Sequence, residues 1–430
     1  MFLFLKNKEN WPFLRFWLAQ LVSQFGDRVN QMALVGLIAV RSPGSSFELA
    51  KLLSFTIIPV FIIGPIAGVY VDRWDRRTTL FVCDLIRGVL VLCIAFYFMN
   101  LPSIVPMYGI VFVIFAFSRF YVPAKMSFVP EMVKTEDLHI ANSLVTVTGM
   151  LALVLGALFG GIIVEKAGAR GGFVWNAFTL FFSALLVFSI PAMRKRHSIS
   201  KTKIVSAGRD VLGAHKTVVA EIKDGIAYIR GHAKIRLMFA MMSVLFAAAG
   251  AVYVVIIVFI QRTFGSVTKD LGFLAVPLGI GLFLGSLAYG KWGDKAPKSK
   301  AMFASLVCGG VMVAVFAALV HLTHNRGIAA GLAFGLGFTI GPIVIAANTV
   351  VNQVCSAQMS GKVFAALEFV MHLAFLLAML ASAYAAEHVS RVWILVVVGV
   401  IFLIVGIIGL VKYKDGGNTD FVPPWRDKTV

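Results

Sequence analysis

The chain is poor in charge, and poorest in negative charge. Only 14% of its 430 residues are Asp, Glu, Lys or Arg, with 20 acidic against 39 basic. Charged residues usually make up about a quarter of a water-soluble domain, so that class is excluded. Cysteine is scarce too. Cys83, Cys93, Cys308 and Cys355 lie within or at the ends of apolar stretches, without metal-ligand spacing or a disulfide framework. No G-x-x-x-x-G-K-[ST] occurs, so intrinsic ATP hydrolysis is not indicated. The start lacks a short apolar region followed by a small-residue cleavage site, so the first apolar stretch is expected to be retained. Nothing alternates every second residue as an outer-membrane barrel would. No nucleophile, acid and base or metal triad gathers near one interface. The reading therefore needs no enzyme activity, metal or cofactor.

What is present is long hydrophobic runs, with 59% of residues apolar. A helix needs roughly 20 apolar residues to cross a hydrocarbon core of about 30 Å. Windows of that kind fall near 13–40, 49–70, 79–99, 104–131, 139–164 and 171–192, then near 236–261, 270–291, 301–320, 327–352, 362–386 and 391–412. The expected fold is an all-α membrane protein with twelve transmembrane helices in two six-helix bundles related by pseudo-twofold symmetry. The bundles would span residues 1–192 and 236–412, joined by a basic linker over 193–235 and followed by a tail over 413–430. Within the linker, Val218, Ile222, Gly225 and Ile229 recur at helical spacing, which predicts an amphipathic helix on the cytoplasmic surface. A disordered linker is the alternative.

The net charge of +19 raises the question of nucleic acid, but the placement of the charge answers it. With the N-terminus inside, about 27 Lys and Arg fall in cytoplasmic segments, about 8 outside and about 4 within spans, as the positive-inside rule expects. Met193-Arg194-Lys195-Arg196-His197 follows the sixth span directly. The basic surface thus sets topology and meets anionic lipid head groups. A monomer in the inner (cytoplasmic) membrane, with both termini cytoplasmic and no nucleic-acid partner, is expected.

Charge inside a span is costly, about 2.5–3.5 kcal/mol at mid-membrane on insertion scales, and marks a bundle interior or wet cavity. The first span carries Asp27 and Arg28 beside Gln20, Gln24, Asn30 and Gln31. Depth along the helices puts Arg119 of the fourth span at a level where it can pair with Asp27. A static ion pair, or a helix that ends at Pro123 and lets Arg119 snorkel, are the alternatives. Arg28 points about 100° away from Asp27 and implies a partner on another helix. Asp84 and Arg87 sit three apart on the third span and read as local support near the cytoplasmic end. Glu368 and His372 share a face of the eleventh span and are candidates for proton coupling, or a helix contact. Asn348 and Asn352 on the tenth span offer uncharged hydrogen-bonding groups. The 37 Phe and 16 Met suit a cavity tolerant of varied apolar ligands, although they serve equally as packing or lipid-facing residues.

Two loops echo each other. Gly68-Val69-Tyr70-Val71-Asp72-Arg73-Trp74-Asp75-Arg76-Arg77 follows the second span, and Gly290-Lys291-Trp292-Gly293-Asp294-Lys295 follows the eighth. The first resembles the loop signature of the major facilitator superfamily, G-x-x-x-D-R-x-G-R-[KR], with Asp75 in place of the usual glycine. Ser118-Arg119-Phe120-Tyr121-Val122-Pro123-Ala124-Lys125, Phe128-Val129-Pro130-Glu131 and Ala141-Asn142 resemble a branch that includes enterobactin-type siderophore exporters and macrolide-efflux proteins. Gln24-Phe25-Gly26-Asp27 and Met359-Ser360-Gly361-Lys362-Val363-Phe364 also look like that branch. The resemblance implies a cytoplasmic gate built on Gly68, Asp72, Arg73, Arg76, Arg77, Glu131 and Asp294. Gly149, Gly156, Gly160 and Gly161 stand where the superfamily's exporters carry a glycine-rich motif, here without its proline. They serve close helix packing equally well.

The expectation is a secondary transporter that exports an amphipathic small molecule, a drug or a siderophore, by alternating access and proton antiport. A lysophospholipid flippase of the same superfamily is the nearest alternative. A polytopic membrane enzyme and a passive channel are the alternatives from other classes.

Overall fold

The computed structural model describes residues 4, 8–71, 74–191, 222–231, 233–293, 298–354 and 357–412, and among these every long element is helical. In chain order they are α1 (Trp11–Arg41), α2 (Ser46–Ile62), α3 (Gly64–Val71), α4 (Arg76–Phe96), α5 (Val105–Met132) and α6 (Leu138–Phe188). The second half supplies α7 (Ala233–Phe264), α8 (Lys269–Trp292), α9 (Lys298–Thr323), α10 (Arg326–Val354), α11 (Ala357–His388) and α12 (Arg391–Lys412).

Among the described residues nine helices have the length and hydropathy to cross a membrane. One of these covers two expected windows. At 51 residues α6 would run about 77 Å as a straight rod, far more than one crossing needs. Gly168 breaks it, with φ 71° and ψ 175° inside an otherwise helical run. A side chain there would be strained, so glycine sets where the chain reverses. The second expected span is likewise divided, because α2 contains Pro59 and α3 begins after Ile63. Asp75 explains its own departure from the loop signature. Its carboxylate caps α4, accepting hydrogen bonds from the Thr78 amide at 2.8 Å and the Thr78 hydroxyl at 2.6 Å.

The chain forms two compact units. Unit 1 comprises Met1–Pro43, Lys51–Val218 and Ser266–Gly272; unit 2 comprises Gly44–Ala50, Val219–Gly265 and Phe273–Val430. Each therefore holds a short segment from the other half of the sequence. In unit 1 the core is aromatic, with Phe13, Phe16 and Phe128 fully buried and the Phe16 and Phe128 rings edge to face at 5.6 Å. Unit 2 packs Met238, Met241, Met242 and Met302 with Phe303 and Leu306.

Lipid tails are as apolar as leucine, so membrane helices associate through close packing rather than hydrophobic exclusion. In unit 1 the glycines of α6 allow this. A Cβ on Gly160 would sit 3.1 Å from the Val29 backbone of α1, and one on Gly156 would sit 2.8 Å from Arg28 Cβ. These glycines thus bring α6 against the helix that bears Asp27.

Residues 222–231 are helical, in agreement with the amphipathic pattern. Their apolar face meets protein rather than lipid: Ile229 joins Ile235, Val363 and Ala366, and Asp224 pairs with Lys362 of α11 at 2.8 Å. Val218, the rest of the 193–235 linker apart from 222–231 and 233–235, and the 413–430 tail lie outside the described residues.

Candidate functional site

Within unit 1, four helix segments bring polar side chains to one place. Asp27 and Gln20 come from α1, Asp84 and Arg87 from α4, Tyr121 from α5, and Ser183 from the second segment of α6. Arg87 is the hub. Its Nη2 bonds Asp27 Oδ1, and its Nη1 lies 3.3 Å from Asp84 Oδ1. Ser183 donates to the other Asp84 oxygen at 2.7 Å. The guanidinium stands over the Tyr121 ring, 5.8 Å from its centre, and Gln20 Nε2 donates to the Tyr121 hydroxyl.

Exposure separates the two carboxylates. The Asp84 side chain is 0% exposed and Arg87 5%, whereas Asp27 is 36% exposed. Two carboxylates share one guanidinium, so the trio carries a net negative charge unless one proton is added. Of the two, Asp27 is the carboxylate that can be reached from outside the packed cluster.

Local packing sets the position of Asp27. A Cβ on the preceding Gly26 would overlap Thr179 Oγ1 and approach Asn176 Oδ1 to 2.8 Å, so glycine lets α1 touch α6 here. Gln20 Oε1, Gln24 Nε2 and Asn30 Oδ1 are buried without a hydrogen-bond partner among the described residues. Unpaired buried polar atoms cost about 1–3 kcal/mol each.

Several sequence expectations change. The cation on Asp27 is Arg87, where Arg119 was expected; Asp84 and Arg87 do pair locally as their spacing predicts, at 3.3 Å, and that pair is part of this cluster. Arg28 finds its partner on its own helix, donating to Gln31 Oε1 at 2.9 Å, rather than on another. Glu368 is exposed, and His372 Nδ1 sits 2.8 Å from the Glu368 backbone carbonyl, not from its carboxylate. Asn348 is in α10, but its side chain falls outside the described residues, as does that of Asn352.

Of the gate residues, Arg76 pairs with Glu131 at 3.4 Å. Arg77 donates to the Val187 and Phe188 carbonyls at the end of α6, where a cation complements the helix dipole. A Cβ on Gly68 would meet no described atom within 4 Å. Asp72, Arg73 and Asp294 lie outside the described residues. A separate concavity of about 610 Å³, lined by Arg170, Val174, Trp175 and Phe178, lies along α6 and includes none of the Asp27 cluster.

The comparisons with known proteins identify the family. Residues 16–374 and 237–427 match the Major Facilitator Superfamily, and the chain belongs to that family. It is 22% identical to the MFS-type transporter YfiS of Bacillus subtilis over 409 residues, 92% of each chain. It is also 22% identical to macrolide efflux protein A of Streptococcus pyogenes over 328 residues, 72% of this chain and 74% of that one. Among solved structures, a mutant of the nucleoside transporter NupG is similar in fold, with a TM-score of 0.72 at 12% identity over 93% of this chain and 98% of that one. A bacterial homologue of the iron transporter ferroportin in an inward-facing state has a TM-score of 0.71, also at 12% identity, over 93% of this chain and 99% of that one. The protein is a multi-pass membrane transporter.

Proposed function

We propose that this transporter exports an amphipathic small molecule in exchange for protons, by alternating access, from an inner membrane in which both termini face the cytoplasm. The observation that carries the reading is the unequal exposure of two carboxylates on one arginine, Asp27 open and Asp84 sealed. Substrate and proton compete at Asp27. When a proton takes Asp27, Arg87 stays with Asp84, and the site presents a neutral carboxyl where a charged one stood. The likeness to a macrolide efflux protein supports outward transport of a drug-like molecule. The unpartnered amides of α1 supply hydrogen-bonding groups beside it.

The test is uptake into everted vesicles of candidate drugs, siderophores and lysolipids, with and without a proton gradient. The reading expects gradient-driven uptake of a drug or siderophore by the wild type and none by Asp27→Asn at normal membrane abundance. Full activity of that variant contradicts it, and gradient-independent movement of lysolipid alone would favour the flippase. Glu368 is the second protonatable candidate. Glu368→Gln is expected to flatten the pH dependence of export, and an unchanged profile removes it from the coupling.

A further inference from the structure

The concavity along α6 is part of neither the Asp27 cluster nor the gate, and its lining is of two kinds. At one end stands Arg170, two residues after the Gly168 joint. Beyond it lie Val174, Trp175 and Phe178, which are 37%, 46% and 67% exposed. Ala167 and Gly171 complete the lining, and their small size leaves the space open.

Residues 170, 174 and 178 recur every four positions, so they share one face of the helix. Phe178 lies about 12 Å along the axis from Arg170, within a single leaflet of about 15 Å. The same exposed apolar surface continues through Phe182 and Leu185. In a chain that spans a membrane, a stripe of this kind meets acyl chains. Arg170 follows the joint where the chain turns between two expected spans, so it stands at the level of the lipid head groups.

The guanidinium is positioned but not neutralised. Arg170 Nη2 donates to Asn100 Oδ1 at 2.7 Å, and Asn100 Nδ2 is tied in turn to the Phe96 carbonyl at 2.7 Å. Among the described residues no carboxylate pairs with Arg170. The nearest acid in sequence, Glu165, is occupied by the amides of Val267, Thr268 and Lys269. Lys166, exposed on the other side of the joint, adds a second positive charge. A guanidinium offers a planar fork of donors that suits a phosphate, and the bond to Asn100 leaves most of that fork unused. No lining residue is acidic, so a head group bearing an ammonium finds no counter-charge in the groove.

We propose that this groove is a binding site for a singly anionic diacyl phospholipid, its phosphodiester on Arg170 and one acyl chain along Val174, Trp175 and Phe178. All of these residues belong to unit 1, and the inference rests on membrane insertion alone, not on export or proton coupling.

The test is native mass spectrometry of delipidated full-length protein, titrated with phosphatidylglycerol or phosphatidylethanolamine of the same acyl chains. Wild type is expected to hold a first phosphatidylglycerol more tightly than phosphatidylethanolamine. Arg170→Gln should weaken phosphatidylglycerol about tenfold, as loss of a hydrogen bond to a charged group does, and leave phosphatidylethanolamine unchanged. Ala167→Leu fills the groove without altering its charge and should weaken phosphatidylglycerol as well, which keeps the proposal testable should Arg170→Gln fail to insert. Wild-type affinity in both variants, or no preference for phosphatidylglycerol in wild type, overturns the proposal. Displacement of the lipid by inorganic phosphate alone would mark an oxyanion site without a lipid. A disulfide-linked dimer formed only by Trp175→Cys in nanodiscs would show a second copy of the chain covering this face. Either result overturns the lipid assignment.

Discussion

Asp27, Asp84 and Arg87 form a cluster in which each residue is held for a different reason. A buried charge that loses its partner is destabilising by roughly 3–5 kcal/mol, whereas an exposed partner matters far less. Asp84→Asn should therefore lower the melting temperature sharply in detergent, while Asp27→Asn should leave it within a few degrees of wild type. Equal losses in the two variants would contradict the division of roles. Exposed pairs make the opposite case. Lys362 and Asp224 are 2.8 Å apart but 34% and 57% exposed, and Asp224→Ala is expected to change stability by less than about 1 kcal/mol. That Asp27 needed a partner was legible in the sequence, since a charge at that depth is costly. Which partner was not. Arg87 lies 11 residues into α4 and Arg119 lies 13 residues from the end of α5, about 17 and 20 Å from the same face. Depth alone does not separate them; rotation about each helix axis does, and no single segment encodes it.

At the scale of elements, hydrophobic length located the spans, because crossing a bilayer imposes it on each segment independently. The joints were harder to read. The joint at Gly168 was legible, since Glu165, Lys166 and Arg170 interrupt the apolar run between the windows 139–164 and 171–192; that it is made by one positive φ inside a nearly continuous helix was not. The Glu165 carboxylate, which accepts from the Val267, Thr268 and Lys269 amides at the start of α8, was invisible because those partners are about a hundred residues away. Glu165→Ala strips the α8 start of its carboxylate cap and should destabilise by about 1 kcal/mol, the usual cost of a lost cap. Thermal unfolding measures this, and no change would show that water replaces the carboxylate fully. Gly26→Ala forces a methyl against Thr179 and Asn176, and overpacking of that kind typically costs about 1–3 kcal/mol. Because the clash lies next to Asp27, export should fall further than stability does; an active, stable variant would show that α1 and α6 do not touch there.

For the whole molecule, family membership and transport rest on the family match and helical architecture on the fold, while the proposed export rests on the likeness to an efflux protein, proton coupling on the chemistry of one carboxylate and orientation on the placement of Lys and Arg. The loop signature and the fourth-span residues carried the family in the sequence, since a gate and a tight helix pair constrain particular residue types. They do not carry the substrate, which depends on the cavity face of many helices at once. The most direct measurement reconstitutes the purified protein in liposomes containing a pH-sensitive dye and adds the molecule found to be exported. Proton movement opposite to substrate, abolished in Asp27→Asn while substrate still binds, is the predicted result. Substrate movement without proton flux, or proton flux that persists in Asp27→Asn, would contradict the account.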